Sequence, residues 1–216
     1  MNKLTIDTAE ALALQLRSKL GLGTHEPINA KTLIRQLDYM LHYRPLSESL
    51  LGMSLKSPDS LYKFILINSN TTRGRQHFTI AHEIYHLEFE EDIYPHYNRT
   101  DREVNVSERN ADMFACALLM PRQGIISKIP ASELASKNIS IETCLTLGQL
   151  YGVSHSTLVF RLKELKLITQ ENEQKLMQIK VKQEAYYRGF DLSLYNSGNN
   201  NVMISDYGLE ARQLYN

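Results

Sequence analysis

The amino-acid sequence predicts an α+β fold: a small antiparallel sheet packed with long helices, followed by a helix-turn-helix-like helical subdomain. Three observations predict it. Short apolar and aromatic runs cluster between Tyr39 and Ile67. Two helix-period segments without Gly or Pro follow, Arg75–Glu91 and Glu108–Leu119. Past Pro130 come a helix, a tight turn at Tyr151-Gly152-Val153-Ser154 and a second helix. With 43% hydrophobic and 22% charged residues among 216, the composition excludes a disordered or fibrous chain.

In chain order, Leu12, Leu16 and Leu20 recur at helical spacing over Thr8–Leu20. Asp7 or Thr8 is available as N-cap, and Gly21 and Gly23 are stops. A short helix is expected after Asn29, with Leu33, Ile34 and Leu37 on one face. Tyr39–Arg44, Leu51–Lys56 and Tyr62–Ile67 read as three strands, punctuated by Pro45, Pro58-Asp59 and Asn68-Ser69-Asn70. The helix Arg75–Glu91 gives way to a loop through Pro95 and Asn98–Val106. The helix Glu108–Leu119 ends before Pro121, because the residue preceding a proline disfavours helical geometry. Ile141–Leu150 and Thr157–Leu167 form the helix pair, with Leu158, Leu162 and Leu165 on the second apolar face. Beyond Gln170 the chain is polar, and Asn196–Asn201 reads as a surface loop. The expected division is a core over 1–130, the helical subdomain over 131–170 and a polar C-terminal extension over 171–216.

The chemistry concentrates in His82-Glu83-Ile84-Tyr85-His86. Residues four apart share a helix face, so both imidazoles can reach one cation. Glu83 can then point at a metal-bound water without ligating the metal, which is the mechanical content of the H-E-x-x-H pattern. Phe78, Ile80, Ala81, Leu87 and Phe89 surround the motif with apolar residues. Burying two histidines and a glutamate there is costly without a partner, and a zinc ion supplies one. Incidental histidines on an amphipathic helix are the bland alternative.

A catalytic zinc takes three protein ligands and keeps one open position. Glu108, at the start of the next helix, is the leading third ligand; His77, Asp92, His96 and Glu103 compete with it. Asp112 lies four residues beyond Glu108 and can accept a hydrogen bond from a ligating histidine's other ring nitrogen. A helix-start Glu favoured by the helix dipole, with a solvated Asp112, is the plainer reading of that segment alone. The three-histidine arrangement H-E-x-x-H-x-x-G-x-x-H fails at Phe89. For a developing oxyanion, Tyr94, His96, Tyr97 and Arg75 are the candidate donors. Leu51–Lys56 or Tyr62–Ile67 is expected either to pair with a substrate strand or simply to close the sheet.

Arg75-Gln76-His77-Phe78-Thr79-Ile80-Ala81-His82-Glu83-Ile84-Tyr85-His86, taken with Glu108-Arg109-Asn110-Ala111-Asp112-Met113-Phe114-Ala115-Cys116-Ala117-Leu118-Leu119-Met120-Pro121, closely resembles the ImmA/IrrE family of bacterial metallo-endopeptidases. That family's signature is a basic residue, F-T-x-A-H-E-x-x-H, then E-x-x-A-N-x-F-A-x-x-L-L-M-P, and the likeness runs from about Leu51 to Leu167. The resemblance implies a zincin-like metallopeptidase core over 1–130 with Zn2+ held by His82, His86 and Glu108, and Glu83 as catalytic base. Asp112 departs from the family's usual Asn; Asp can orient a histidine as well. The resemblance also implies a cytoplasmic enzyme whose protein substrate is a helix-turn-helix repressor, commonly encoded nearby. Cleavage of that repressor would derepress mobile-element or stress genes.

Two other readings belong to different classes. The second helix of the pair carries His155, Ser156, Arg161, Lys163 and Lys166, which could meet DNA phosphates. Lys+Arg and Asp+Glu balance at 24 each, which argues against direct DNA binding. A third reading is a zinc-holding partner that sequesters another protein without cutting it. Cys116 and Cys144 are too few for a disulfide framework and build no Cys-x-x-Cys metal site. Met1–Asp7 has no signal-peptide pattern, and no apolar run approaches the roughly 20 residues of a membrane span, so a soluble cytoplasmic protein is expected.

Overall fold

The computed structural model describes residues 3–59, 61–90, 96–99 and 106–197. Helix α1 spans Ile6–Lys19 and starts two residues earlier than its leucine spacing suggests. The cap is Thr5, not Asp7 or Thr8: its Oγ1 accepts the Thr8 N–H at 3.1 Å. Helix α2, Ala30–Gln36, is capped by Asn29 through the Lys31 N–H. Strands β1 (Met40–Arg44), β2 (Leu50–Lys56) and β3 (Lys63–Asn68) follow, then helix α3 (Arg73–Phe89), strand β4 (His96–Arg99) and helix α4 (Val106–Leu119).

The sheet corrects two expectations. Its order is β1-β3-β2-β4, with β1 parallel to β3 and β2 antiparallel to both of its neighbours, so it is mixed rather than antiparallel. It also has a fourth strand, β4, in the stretch read as loop. The most apolar strand, β3, takes an interior place, and Ile65 and Ile67 are fully buried on one of its faces. Asn68 makes that insertion possible. Its Nδ2 donates to the carbonyls of Ser47 and Leu50 at 2.8 Å each, and its Oδ1 accepts the N–H groups of Leu46 and Asn70. One buried amide thus ties the β1–β2 connection over the end of β3. The candidate substrate-pairing strands β2 and β3 are therefore both interior; the sheet's edges are β1 and β4.

After α4 come α5 (Arg122–Ile126), α6 (Ala131–Ser136), α7 (Ile141–Tyr151), α8 (His155–Glu164), α9 (Gln170–Met177), α10 (Val181–Tyr187) and a 3-10 turn at Ser193–Tyr195. Ser140 and Ser154 cap α7 and α8 by accepting the N–H groups of Thr143 and Thr157. Helix α7 ends on Gly152 in the left-handed region, φ 65°. The polar stretch beyond Gln170 is thus helical for much of its described length. It returns to the core: Asn196 O accepts the Arg73 N–H, and Ser197 forms a bridge with Thr72.

Helix α3 lies between the sheet and α4, and one continuous hydrophobic core runs from Ala9 on α1 to Leu176 on α9. Two buried arginines finish the C-terminal end of α4, where carbonyls lack helical partners. Arg17 of α1 donates to Leu118 O, and Arg161 of α8 donates to Met120 O. Arg161 also pairs with Glu10 and Glu164. Cys116 and Cys144 are free and buried, and burial pushes the Cys144 thiol up to about 12. Among the described residues no helix is long and apolar enough to cross a membrane.

Candidate metal centre

Close approach of β2 to α3 builds one wall of the site. A Cβ on Gly52 would stand 2.6 Å from Thr79 Cγ2 and 2.9 Å from Leu66 O, so only glycine lets strand and helix approach this closely. Two residues on, and on the same face of the strand, Ser54 Oγ donates to Glu83 Oε2 at 2.6 Å. Both residues are fully buried. Packing of α4 on the other side of α3 brings in Glu108 from its first turn.

His82, His86 and Glu108 converge so that one ligand atom from each lies within 4.8 Å of the others. The two Nε2 atoms are 3.1 Å apart. Glu108 Oε2 is 3.4 Å from His82 Nε2, and Oε1 is 3.6 Å from His86 Nε2. Each ring is held from behind. Asp112 Oδ1 lies 2.8 Å from His82 Nδ1, and Glu90 Oε2 lies 2.8 Å from His86 Nδ1. Glu90 is fixed in turn by Ser107 Oγ at 2.5 Å, while its carbonyl accepts from Lys56.

These contacts decide what the cluster fits. An ionised carboxylate only accepts hydrogen bonds, so Asp112 and Glu90 place the ring protons on Nδ1. Neutral rings then present bare Nε2 lone pairs to each other and to the Glu108 oxygens. Acceptors gathered at 3.1 to 3.6 Å repel unless a positive charge stands among them. Two imidazole nitrogens and a carboxylate oxygen are the donor types that zinc takes in a three-ligand site. The residues present therefore fit a divalent metal.

The other sequence candidates divide. His77 is not in the cluster: its Nε2 accepts the Ala30 N–H at 2.8 Å, and its Nδ1 donates to Gly152 O at 3.0 Å. Tyr85 packs against Phe89 and Phe114, with its ring edge-on to that of His86. Arg75 is exposed near the start of α3, about two turns before His82. Tyr94, Asp92 and Glu103 lie outside the described residues, as do the side chains of His96 and Tyr97. Backbone register sets His96 opposite Ser54 and Tyr97 opposite Met53.

Three side chains at the candidate site escaped the sequence reading: Glu90, Ser54 and Ser107. Glu90 had a usable signal, since it stands four residues after His86, the same interval that pairs the two histidines. Ser54 had none, because its partner is 29 residues away. On α8, the cations that could have met DNA are largely used within the fold. Arg161 is buried in ion pairs, Lys163 pairs with Glu173 at 2.7 Å, and His155 Nε2 bonds Leu176 O at 2.9 Å.

No curated protein matches the chain. The Peptidase_M78 family model, described as the IrrE N-terminal-like domain, matches residues 34–163, more than half of the chain and a span that holds His82, His86 and Glu108. On that match the chain belongs to this peptidase family, and the buried His–His–Glu cluster is its candidate metal site.

Proposed function

We propose that the protein is a zinc-dependent endopeptidase of the cytoplasm that cleaves a helix-turn-helix repressor encoded nearby, derepressing mobile-element or stress genes. The observation that carries the hydrolytic part is the buried cluster of acceptors at His82, His86 and Glu108 beside Glu83. The repressor substrate rests on the family resemblance.

His82, His86 and Glu108 would hold the ion, with Asp112 and Glu90 fixing the two rings. When bound, zinc supplies a polarising charge for the scissile carbonyl and acidifies a water molecule. Glu83 takes the proton of the attacking water and returns it to the leaving amine, a base and then an acid. Ser54 holds the Glu83 carboxylate in one orientation, which spares the search for a reactive geometry. Tyr94, His96, Tyr97 and Arg75 remain the proposed donors to the oxyanion. The backbone edge of β4, rather than β2 or β3, is the strand edge beside Ser54 that a substrate could extend.

The test is co-incubation of the zinc-loaded protein, and of its Glu83→Gln variant, with candidate repressors, read by mass spectrometry of fragments. Cleavage by the parent and at least a hundred-fold loss in the variant is expected, with zinc content near one per chain in both. Undiminished cleavage by Glu83→Gln would sink the mechanism. A stable complex with an intact partner would favour the non-cleaving, protein-sequestering reading.

A further inference from the structure

The first turns of α3 face a cavity of about 830 Å³, closed by α2, the end of β1, Ser69, the end of α7 and Leu194 of the 3-10 turn. That volume lies within the range of small-molecule sites, roughly 300–1,000 Å³. None of the metal-cluster residues lines it, so it is a separate space.

Its charge is one-sided. Lys31 and Arg73 are the charged residues among the described lining, and Asp191, outside that lining, interacts electrostatically with Arg73. Both are exposed, and Lys31 Nζ rests 4.8 Å over the Tyr43 ring. The 17-residue helix α3 begins here, and its N-cap, Thr72, makes no side-chain capping bond. The Arg73 N–H at that end already donates to Asn196 O, so the helix end adds only its dipole to the two cations. Ile28 and Leu150 supply apolar wall.

The cavity's back is built with little slack. A Cβ on Gly152 would stand 3.0 Å from His77 Nδ1, and one on Gly74 would stand 2.8 Å from Ser154 N. The α7–α8 turn is thus pressed on α3, and the His77 ring, with both nitrogens engaged, serves as wall rather than ligand.

We propose that this cavity binds a small organic phosphate, its anion met by Lys31 and Arg73 and its body by Ile28 and Leu150. A ligand there touches the helix that carries His82 and Glu83 one to two turns further on. Binding is independent of whether the metal site hydrolyses peptides.

The test is calorimetric titration of the full chain with AMP, adenosine and inorganic phosphate at constant ionic strength. AMP is expected to saturate at one site, phosphate to bind more weakly and adenosine not to bind. Lys31→Met and Arg73→Met should each weaken AMP at least ten-fold with melting temperature unchanged. Arg122→Met, which removes a surface cation on α5, should leave AMP binding as it was. Absence of AMP binding, or AMP binding indifferent to both Lys31→Met and Arg73→Met, overturns the proposal; the second result would place the nucleotide elsewhere, the metal cluster included.

Discussion

Behind His86 stands a carboxylate from the end of its own helix. Glu90 leaves helical geometry, φ −112°, and in doing so turns its side chain back onto Nδ1. A carboxylate on the distal nitrogen fixes the tautomer and raises ring basicity, and removing such a partner typically costs ten- to a hundred-fold in metal affinity. Glu90→Ala is therefore expected to weaken zinc binding by about that range in a competition titration with a chromophoric chelator. Asp112→Asn should do far less, because an amide oxygen still accepts from His82 Nδ1. Equal affinities for Glu90→Ala and the parent would remove Glu90 from the site. The two histidines were legible from spacing alone, since four-residue steps on a helix are geometry that sequence states directly, whereas spacing left Glu108 among several candidates. Glu90 stands at that same four-residue interval, but the pattern gives no sign that the chain leaves the helix there and still brings the side chain onto His86.

Helix α3 owes its position to bare backbone on two sides. At Gly52 a single methyl would press on Thr79 and on the Leu66 carbonyl, and the latter is backbone that cannot rotate away. Gly52→Ala should cost about 1–3 kcal/mol in urea unfolding. It should also lower peptidase turnover by separating Ser54 from Glu83, whereas a change confined to stability would show that the strand re-seats. His77 binds the same helix to α2 and to the α7–α8 turn, and desolvation lowers its pKa below the usual 6.5. The folded state then holds fewer protons than the unfolded one just below pH 6.5. Stability from this group is present above that pH and is lost as pH falls toward the lowered value, at up to about 1.4 kcal/mol per pH unit. His77→Gln should flatten the decline between pH 7 and 5, seen by urea titration at each pH; an unchanged slope would assign the decline to other groups. Helices α3 and α4 could be read from their period. The sheet's direction could not, because β1 meets β3 across more than twenty residues and the Asn68 amide that arranges this looks like any turn residue.

Across the whole molecule, a metal that binds only the folded chain adds stability by mass action, about 4 kcal/mol at a thousand-fold excess over its dissociation constant. For a chain of this length that corresponds to roughly 10 °C in melting temperature. Scanning the zinc-loaded protein with and without EDTA should return that difference, and His86→Ala should abolish it; a chelator-insensitive melt would argue that no structural or catalytic ion is held. The described parts of the stretch after Gln170 were the least legible portion at this scale, since α9 buries only Asn172 and Leu176 and so leaves almost no apolar stripe to read. Its attachment matters for how the chain can be divided. The paired guanidiniums on α4 come from opposite ends of the sequence, Arg17 near the start and Arg161 well past the peptidase residues. A fragment stopped near residue 130 would keep the candidate metal-site residues yet strip Met120 of its donor and leave Glu10 without its cation. A piece that keeps both arginine seams must run at least through α8, so a minimal enzyme made by trimming should not be cut before residue 164.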